Sequence, residues 1–219
     1  MKLQFKPMPW LTGIVAVMLA ILISLGVWQY QRLQWKTDLL AEVEASVTAP
    51  PLTSLSDLER AIAASEPVDF RRIAFSGDTV PNAQNYHVFK SQSGGIFWDV
   101  FVPMTNAGKT LYVRMETLES GEKDARNDFA PLIVGANLVG YVRQDHPMGT
   151  IEAKVKSKPS PDTNRWFKFN QDGSWADDLP ANTRLSHYID VVPAATDAAT
   201  LPIRRPTIRN NDRDYMLTW

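Results

Sequence analysis

The chain of 219 residues contains no cysteine, which removes disulfides, thiolate nucleophiles, iron–sulfur ligation and thioether-attached haem. Net charge is equally scarce. Lys and Arg total 23 against 24 Asp and Glu, a formal balance of -1, so no global field draws the molecule to nucleic acid or to an anionic surface. The strings G-x-S-x-G, G-x-x-x-x-G-K-[ST], G-x-G-x-x-G and H-E-x-x-H are all absent. Hydrolase, nucleotide-binding and zinc-protease chemistry therefore have no foothold. The only histidines, His87, His146 and His187, lie far apart, and their one acidic or imidazole neighbour at i+3 or i+4 is Asp190, three beyond His187 in a run patterned as strand, where i and i+3 point to opposite faces. They read as surface or hydrogen-bonded side chains rather than metal ligands. An enzyme is not expected.

The most informative absence is local. No charge falls between Lys6 and Arg32, leaving residues 7–31, 25 positions, uncharged, where about 20 suffice to span a bilayer. A cleaved signal peptide would carry an apolar core of about 7 to 15 residues ending in small side chains. Here the run ends in Trp28, Gln29, Tyr30 and Gln31, and Trp10, Trp28 and Tyr30 stand where interfacial aromatics belong. The segment reads as a retained anchor: a short tail over 1–9, a transmembrane helix over 10–31, and an extramembrane domain over 32–203. Lys2 and Lys6 are matched by Arg32 and Lys36, so flanking charge sets no orientation. Too few residues precede the span for a transit peptide, which points to a bacterial protein.

Apolar residues make up 44% and charged residues 21%, the composition of a folded domain rather than a disordered tail. Leu33, Leu39, Leu40 and Val43 carry helical periodicity beyond the span, to a break at Pro50-Pro51. Ser56 and Glu59 have capping-box spacing for a second helix over 55–65. Short β-branched and aromatic runs follow: 72–76, 86–90, 96–103, 110–115, 132–143, 151–155 and 186–192. Turn residues separate several of them, at Ser93-Gly94-Gly95, Asn106-Ala107-Gly108, Met148-Gly149 and Gln171-Asp172-Gly173. The expected fold class is α+β: an N-terminal transmembrane helix, then a mainly antiparallel β domain with a few helices. Residues 193–203, rich in Ala, Pro and Thr, read as an extended returning linker.

Two stretches are richer than their surroundings. At the outer end of the anchor, Leu25 to Lys36 packs two Trp, three Gln and two cations into three helical turns. An aromatic belt with snorkelling cations explains part of this, but not so many amides. At the other end, Arg204 to Tyr215 is a polar cluster followed by Met216-Leu217-Thr218-Trp219, which reads otherwise as a solvated tail.

Together these ends resemble the surfeit locus protein 1 family, membrane factors for cytochrome c oxidase assembly. The family's L-G-x-W-Q-x-x-R motif is matched by Leu25, Gly26, Trp28, Gln29 and Arg32, and its N-N-H-x-x-Y-A-x-T-W-like stretch by Asn210, Asn211, Tyr215, Thr218 and Trp219. Weaker echoes lie at Phe70–Gly77, Gly140–Arg143 and Asn164–Phe167. The resemblance implies two membrane helices flanking an external β-rich domain, in the bacterial inner membrane with that domain on the periplasmic side. It implies a non-enzymatic role, assisting delivery or insertion of haem a into oxidase subunit I, with haem A synthase a further partner. Residues 204–219 then form a juxtamembrane segment and the start of a second transmembrane helix. Trp28, Gln29, Arg32, Asn211 and Tyr215 are the candidate cofactor-binding residues; a porphyrin at a bilayer surface wants aromatic walls, amide donors and a cation near its propionates.

Three positions depart from that pattern. Asp212 stands where the family carries the histidine proposed to bind haem, and a carboxylate is a poor iron ligand there. Val113-Arg114-Met115-Glu116 replaces the family's N-R-G-[WF]. Only five residues follow Asp214, where a span needs about 20, so the second helix is expected to be lost or the chain truncated. Arg204, Arg205, Arg209 and Arg213 would also favour the cytoplasmic side. Alternatives kept open are an assembly factor acting by protein contact alone, and an anchored periplasmic scaffold or binding module without haem.

Overall fold

The computed structural model describes residues 8–92, 95–123, 132–145, 161–171, 173–175, 177 and 179–205. They separate into the helix as far as Glu42 and a compact unit, Val43–Arg205.

Helix α1 runs Pro9–Thr48. Proline suits its first position, where the missing N–H costs nothing, and Pro50 stops it by forcing the preceding residue out of the helical region. Its most apolar 18-residue window has a mean hydropathy of 2.4 and none of it is buried. Among the described residues it is the one helix long and apolar enough to cross a membrane. An apolar helix exposed on every side finds its solvent in lipid rather than in a protein core.

The second unit begins with the last turns of α1, where Ser46 and Val47 are buried. Helix α2 spans Leu55–Ala63 and is capped by Ser54, whose Oγ accepts from the Asp57 N–H at 3.0 Å. The Asp57 carboxylate reaches back to the Thr53 hydroxyl at 2.6 Å and the Thr53 N–H at 3.3 Å. This corrects the expected box at Ser56 and Glu59. Leu55, Leu58 and Ala61 are the buried face, so the helix must already be running at Leu55, and a cap at Ser56 would lie inside it. Glu59 instead accepts from Arg184 through both its oxygens, at 2.5 Å each.

Among the described residues six strands follow: β1 (Arg72–Thr79), β2 (Tyr86–Gln92), β3 (Gly95–Asn106), β4 (Lys109–Glu119), β5 (Ala136–Gln144) and β6 (Thr183–Val191). They form one sheet in the order β1-β5-β6-β4-β3-β2, and β1 also pairs with β3. A strand has two edges, and β3 divides one of them. Its first half carries β2, while Met104 and Thr105 carry Thr79 and Asp78 of β1. That sharing closes a five-stranded ring and leaves β2 as a flap, which removes most of the free edge an open sheet would present. Between β3 and β4, Ala107 and Gly108 both have positive φ, 48° and 73°. This is the two-residue turn that matches the right-handed twist of a hairpin. The pairings are antiparallel except for β4 with β6, because β5 lies between them in sequence and returns the chain before β6 begins. The expected run 151–155 lies outside the described residues.

Alternate side chains of the ring point inward. Ile73 and Phe75, Trp98, Val100, Val102 and Met104, Leu111 and Val113, Leu138 and Val142, and Ile189 join Leu55, Leu58 and Ala61 of α2 in the main core. Gly140 takes part through its lack of a side chain, since a Cβ there would stand 2.3 Å from the Asp190 carbonyl oxygen. On the outer face, Tyr86, Phe101, Tyr112, Trp166, Phe169 and Trp175 form a second, aromatic core. Residues 193–203 are more than a linker: Ala198 and Leu201 are buried against Val139 and Tyr141 of β5, with Asp197 capping the short turn Ala198–Thr200.

Candidate functional site

At 100° per residue, Trp28, Arg32 and Lys36 form one row along α1, with Gln29 beside it. The Arg32 guanidinium carbon lies 5.3 Å from the Trp28 ring centroid, a cation–π distance. On the far side of the helix, the Gln34 amide donates to the Tyr30 hydroxyl at 2.8 Å. Trp28 keeps 48% of its surface exposed. The helix thus presents an indole face edged by a guanidinium and an amide. Of the other predicted site residues, Asn211 and Tyr215 lie outside the described residues, as does Asp212.

The folded unit contributes something the sequence reading missed: its two ends are bound together. Glu44, on α1, accepts from Arg205 Nε and Nη2 at 2.8 Å each. That hydrogen bonding holds the Glu44 carboxyl below its ordinary pKa. Ser46 Oγ donates to the Asp69 carbonyl at 2.5 Å, and the Asp69 carboxylate accepts from Arg143 Nε and the Gln144 N–H at 3.1 and 3.0 Å. Phe70 adopts φ +64°, a strained conformation for an aromatic residue, and the Arg143 guanidinium lies 4.0 Å from its ring centroid. Two of the weaker family echoes therefore meet at one place. Gly140–Arg143 on β5 pairs with the first part of Phe70–Gly77, Arg72 opposite Tyr141 and Ile73 opposite Gly140, and the Phe70 N–H donates to the Val142 carbonyl.

Further along the outer face, charges alternate across the sheet. Lys90 on β2 faces Asp99 on β3 at 3.5 Å, and Asp99 also accepts from Arg114 on β4 at 2.9 Å and from Thr117 at 2.6 Å. Arg114 bonds on its other side to Asp190 of β6. Burial opposes the charge on Arg114, but its two carboxylates more than offset this and raise its pKa. Asp190 then meets Arg204 at 3.5 Å.

The third echo, Asn164–Phe167, lies on the free edge of β2, where Trp166 exchanges backbone hydrogen bonds with His87 and Phe89. The buried Asn164 amide donates to the Asn85 carbonyl at 2.8 Å and lies 2.9 Å from His87 Nδ1. His187, also buried, is 2.9 Å from the Ser186 hydroxyl. Both histidines are accounted for by hydrogen bonds, His146 lies outside the described residues, and no group of metal-ligating side chains occurs among the described residues. A cleft of about 340 Å³ beside α2 is lined by Asp57, Arg60, Glu66 and Arg71, whose charges pair internally, Asp57 with Arg60 and Glu66 with Arg71.

The residues that join the ends of the unit lacked any sequence signal, because Glu44 and Arg205 are 161 positions apart and each alone resembles ordinary surface charge. No curated protein matches this chain. A sequence model of the SURF1 family matches residues 16–219, covering the anchor's outer motif, all six strands and the C-terminal motif. The chain therefore belongs to the SURF1 family, that of surfeit locus protein 1, an assembly-factor family associated with cytochrome c oxidase.

Proposed function

We propose that this protein is a non-enzymatic assembly factor that handles haem a at the outer end of its membrane helix and assists its insertion into oxidase subunit I. It works from the bacterial plasma membrane with the β domain on the periplasmic side, and haem A synthase is the source from which it receives its cargo. The observation that carries the reading is the Trp28–Arg32 pair at 5.3 Å, set at the end of a span-length helix.

The donor set suits a porphyrin carried as cargo. Trp28 offers an apolar face to the macrocycle, Arg32 offers a cation to a propionate, and Gln29 offers an amide hydrogen bond. The described part of α1 contains no histidine, so these residues hold the ring by its face and its carboxylates rather than by its iron. Asn211 and Tyr215 are proposed to complete the site. What supports their part is that Arg205 is bound to Glu44, so the two ends of the unit Val43–Arg205 lie together.

Haem a added to the detergent-solubilised full chain is expected to shift its Soret band. Trp28→Ala and Arg32→Ala are each expected to weaken binding about 5- to 30-fold, the range of one lost stacking or charge-assisted contact. No shift in the parent chain overturns the haem reading. Asp212, in place of the family's histidine, motivates a second reading, in which the protein acts on subunit I by contact alone. Under that reading subunit I co-purifies with the chain even when haem a synthesis is blocked.

A further inference from the structure

We infer that Asp190 and Tyr141, acting through Arg204, are positioning residues: they hold the chain at Arg205 against Glu44 and thereby fix the end of the folded unit. For its haem arm the inference rests on the reading above; the clamp itself does not.

The exposed Glu44–Arg205 pair, with side chains 50% and 55% exposed, is too solvated to fix a chain by itself. Behind it lies a series of contacts to buried groups of the sheet, of which Arg204, itself 49% exposed, is the outermost. Leu201 and Ala198 pack on Val139 and Tyr141. The Tyr141 hydroxyl donates to the Pro202 carbonyl at 2.7 Å, and Arg72 Nη1 donates to the Ala199 carbonyl at 3.3 Å. Arg204 adds a cation–π contact, its guanidinium carbon 4.4 Å from the Tyr141 ring centroid, with Asp190 at 3.5 Å. Asp190 is only 6% exposed and is itself locked by Arg114. The anchor for the last described residues is therefore a carboxylate fixed in the sheet, not a surface charge. Arg204 takes its two partners from adjacent strands, β5 and β6, and so reads their registration and passes it to Arg205.

Because the chain has no cysteine, Glu44→Cys with Arg205→Cys gives one thiol pair. It also deletes the surface ion pair, leaving only the proposed clamp to hold the two positions together. In the detergent-solubilised full chain, a short bifunctional thiol reagent is expected to link them rapidly. Arg204→Gln in that background is expected to slow linking about fivefold with no change in the thermal melt of the domain. Arg204→Lys should restore part of the rate, and Tyr141→Phe, which keeps the ring and loses the hydroxyl, should cost less than Arg204→Gln. Asp190→Asn is the stronger variant but also strips Arg114 of a partner, so Arg204→Gln decides the matter. Linking within twofold of the parent in Arg204→Gln overturns the clamp. With Glu44 and Arg205 intact, Arg204→Gln is also expected to weaken the haem a response; an unaltered response beside slowed linking overturns the connection to haem handling. Clamp-dependent linking in a parent chain that gives no haem response overturns the haem reading and leaves the clamp standing.

Discussion

Helix α1 as far as Glu42 and the unit Val43–Arg205 reach their shapes by opposite routes. The helix owes its existence to neighbours: every backbone hydrogen bond closes within four residues, its apolar side chains face outward, and any apolar residue of similar size serves. The barrel owes its existence to distance. Its ring closes where Thr79 meets Met104 and where Arg114 meets Asp190, 76 residues away, and it is specific about identity, since Gly140 has no room for even a methyl group. One region is fixed by the solvent it needs and the other by the partners it finds. The two should therefore fail differently.

Charge in the helix is the largest perturbation. Leu19→Arg together with Leu22→Arg places two guanidinium groups near the middle of the span, each costing about 2.5–3.5 kcal/mol of insertion free energy. Most of the protein is expected to become extractable from membranes by alkaline carbonate, while the barrel's melt stays where it was. A barrel that melts lower would break the comparison. Next comes Arg114→Ala, which removes the cation between Asp99 and Asp190, with side chains 13% and 9% exposed, and leaves each only a more solvated partner at 3.5 Å, Lys90 and Arg204. The expected cost is about 3–5 kcal/mol, a fall in melting temperature on the order of 10 °C for a domain of this size, with membrane retention unchanged. Arg114→Lys should recover little, because a point charge cannot span two carboxylates on different strands as a guanidinium fork does. Scanning calorimetry of the two variants decides this.

That asymmetry also governs what could be read in advance. The anchor was legible because its signal is a run: 25 uncharged positions need no partner to be recognised. Most strands were legible for a related reason, alternation being a local property, and the Asn106-Ala107-Gly108 turn marked its hairpin. Closure of the sheet was not legible, because nothing about Asp78 or Thr79 names Thr105 or Met104. The parallel pairing of β6 with β4 was hidden by the extra residues between Arg184 and Tyr188 that shift its register. In the candidate site, Trp28, Gln29 and Arg32 stood out through spacing on one helix. Glu44, Asp190, Tyr141 and Arg204 did not, since each has its meaning only through a residue on another element. Arg204 and Arg205 were visible as a cationic pair but read as solvated tail, for the sequence does not say that one faces a buried carboxylate and the other returns to α1.

The smallest expected effect tests whether anything in the barrel unit behaves as locally as the helix does, and Asp57 is the place to look. Its partners are Thr53 and Ser54, four and three positions away, and their hydrogen bonds pull its pKa from 3.8 to about 2. A carboxyl whose folded pKa is depressed contributes stability above its unfolded pKa and loses it as pH falls through the folded one. The contribution should therefore be complete above pH 3.8 and fade towards about pH 2. The side chain is 25% exposed, so solvent screens it, and an N-terminal cap of this kind is worth about 1 kcal/mol. Asp57→Asn is expected to lower the melting temperature of the full chain by a few degrees at neutral pH, and the gap should close on acidification through that window. A gap of constant size down to pH 2 would mean that Asp57 acts through its shape rather than its charge. A gap far larger than a single cap supplies would mean that α2, through Leu55 and Leu58 in the main core and through Glu59 on Arg184, melts only with the whole ring. In that case even a contact spanning four residues in this unit is enforced from a distance, and the contrast with α1 is complete.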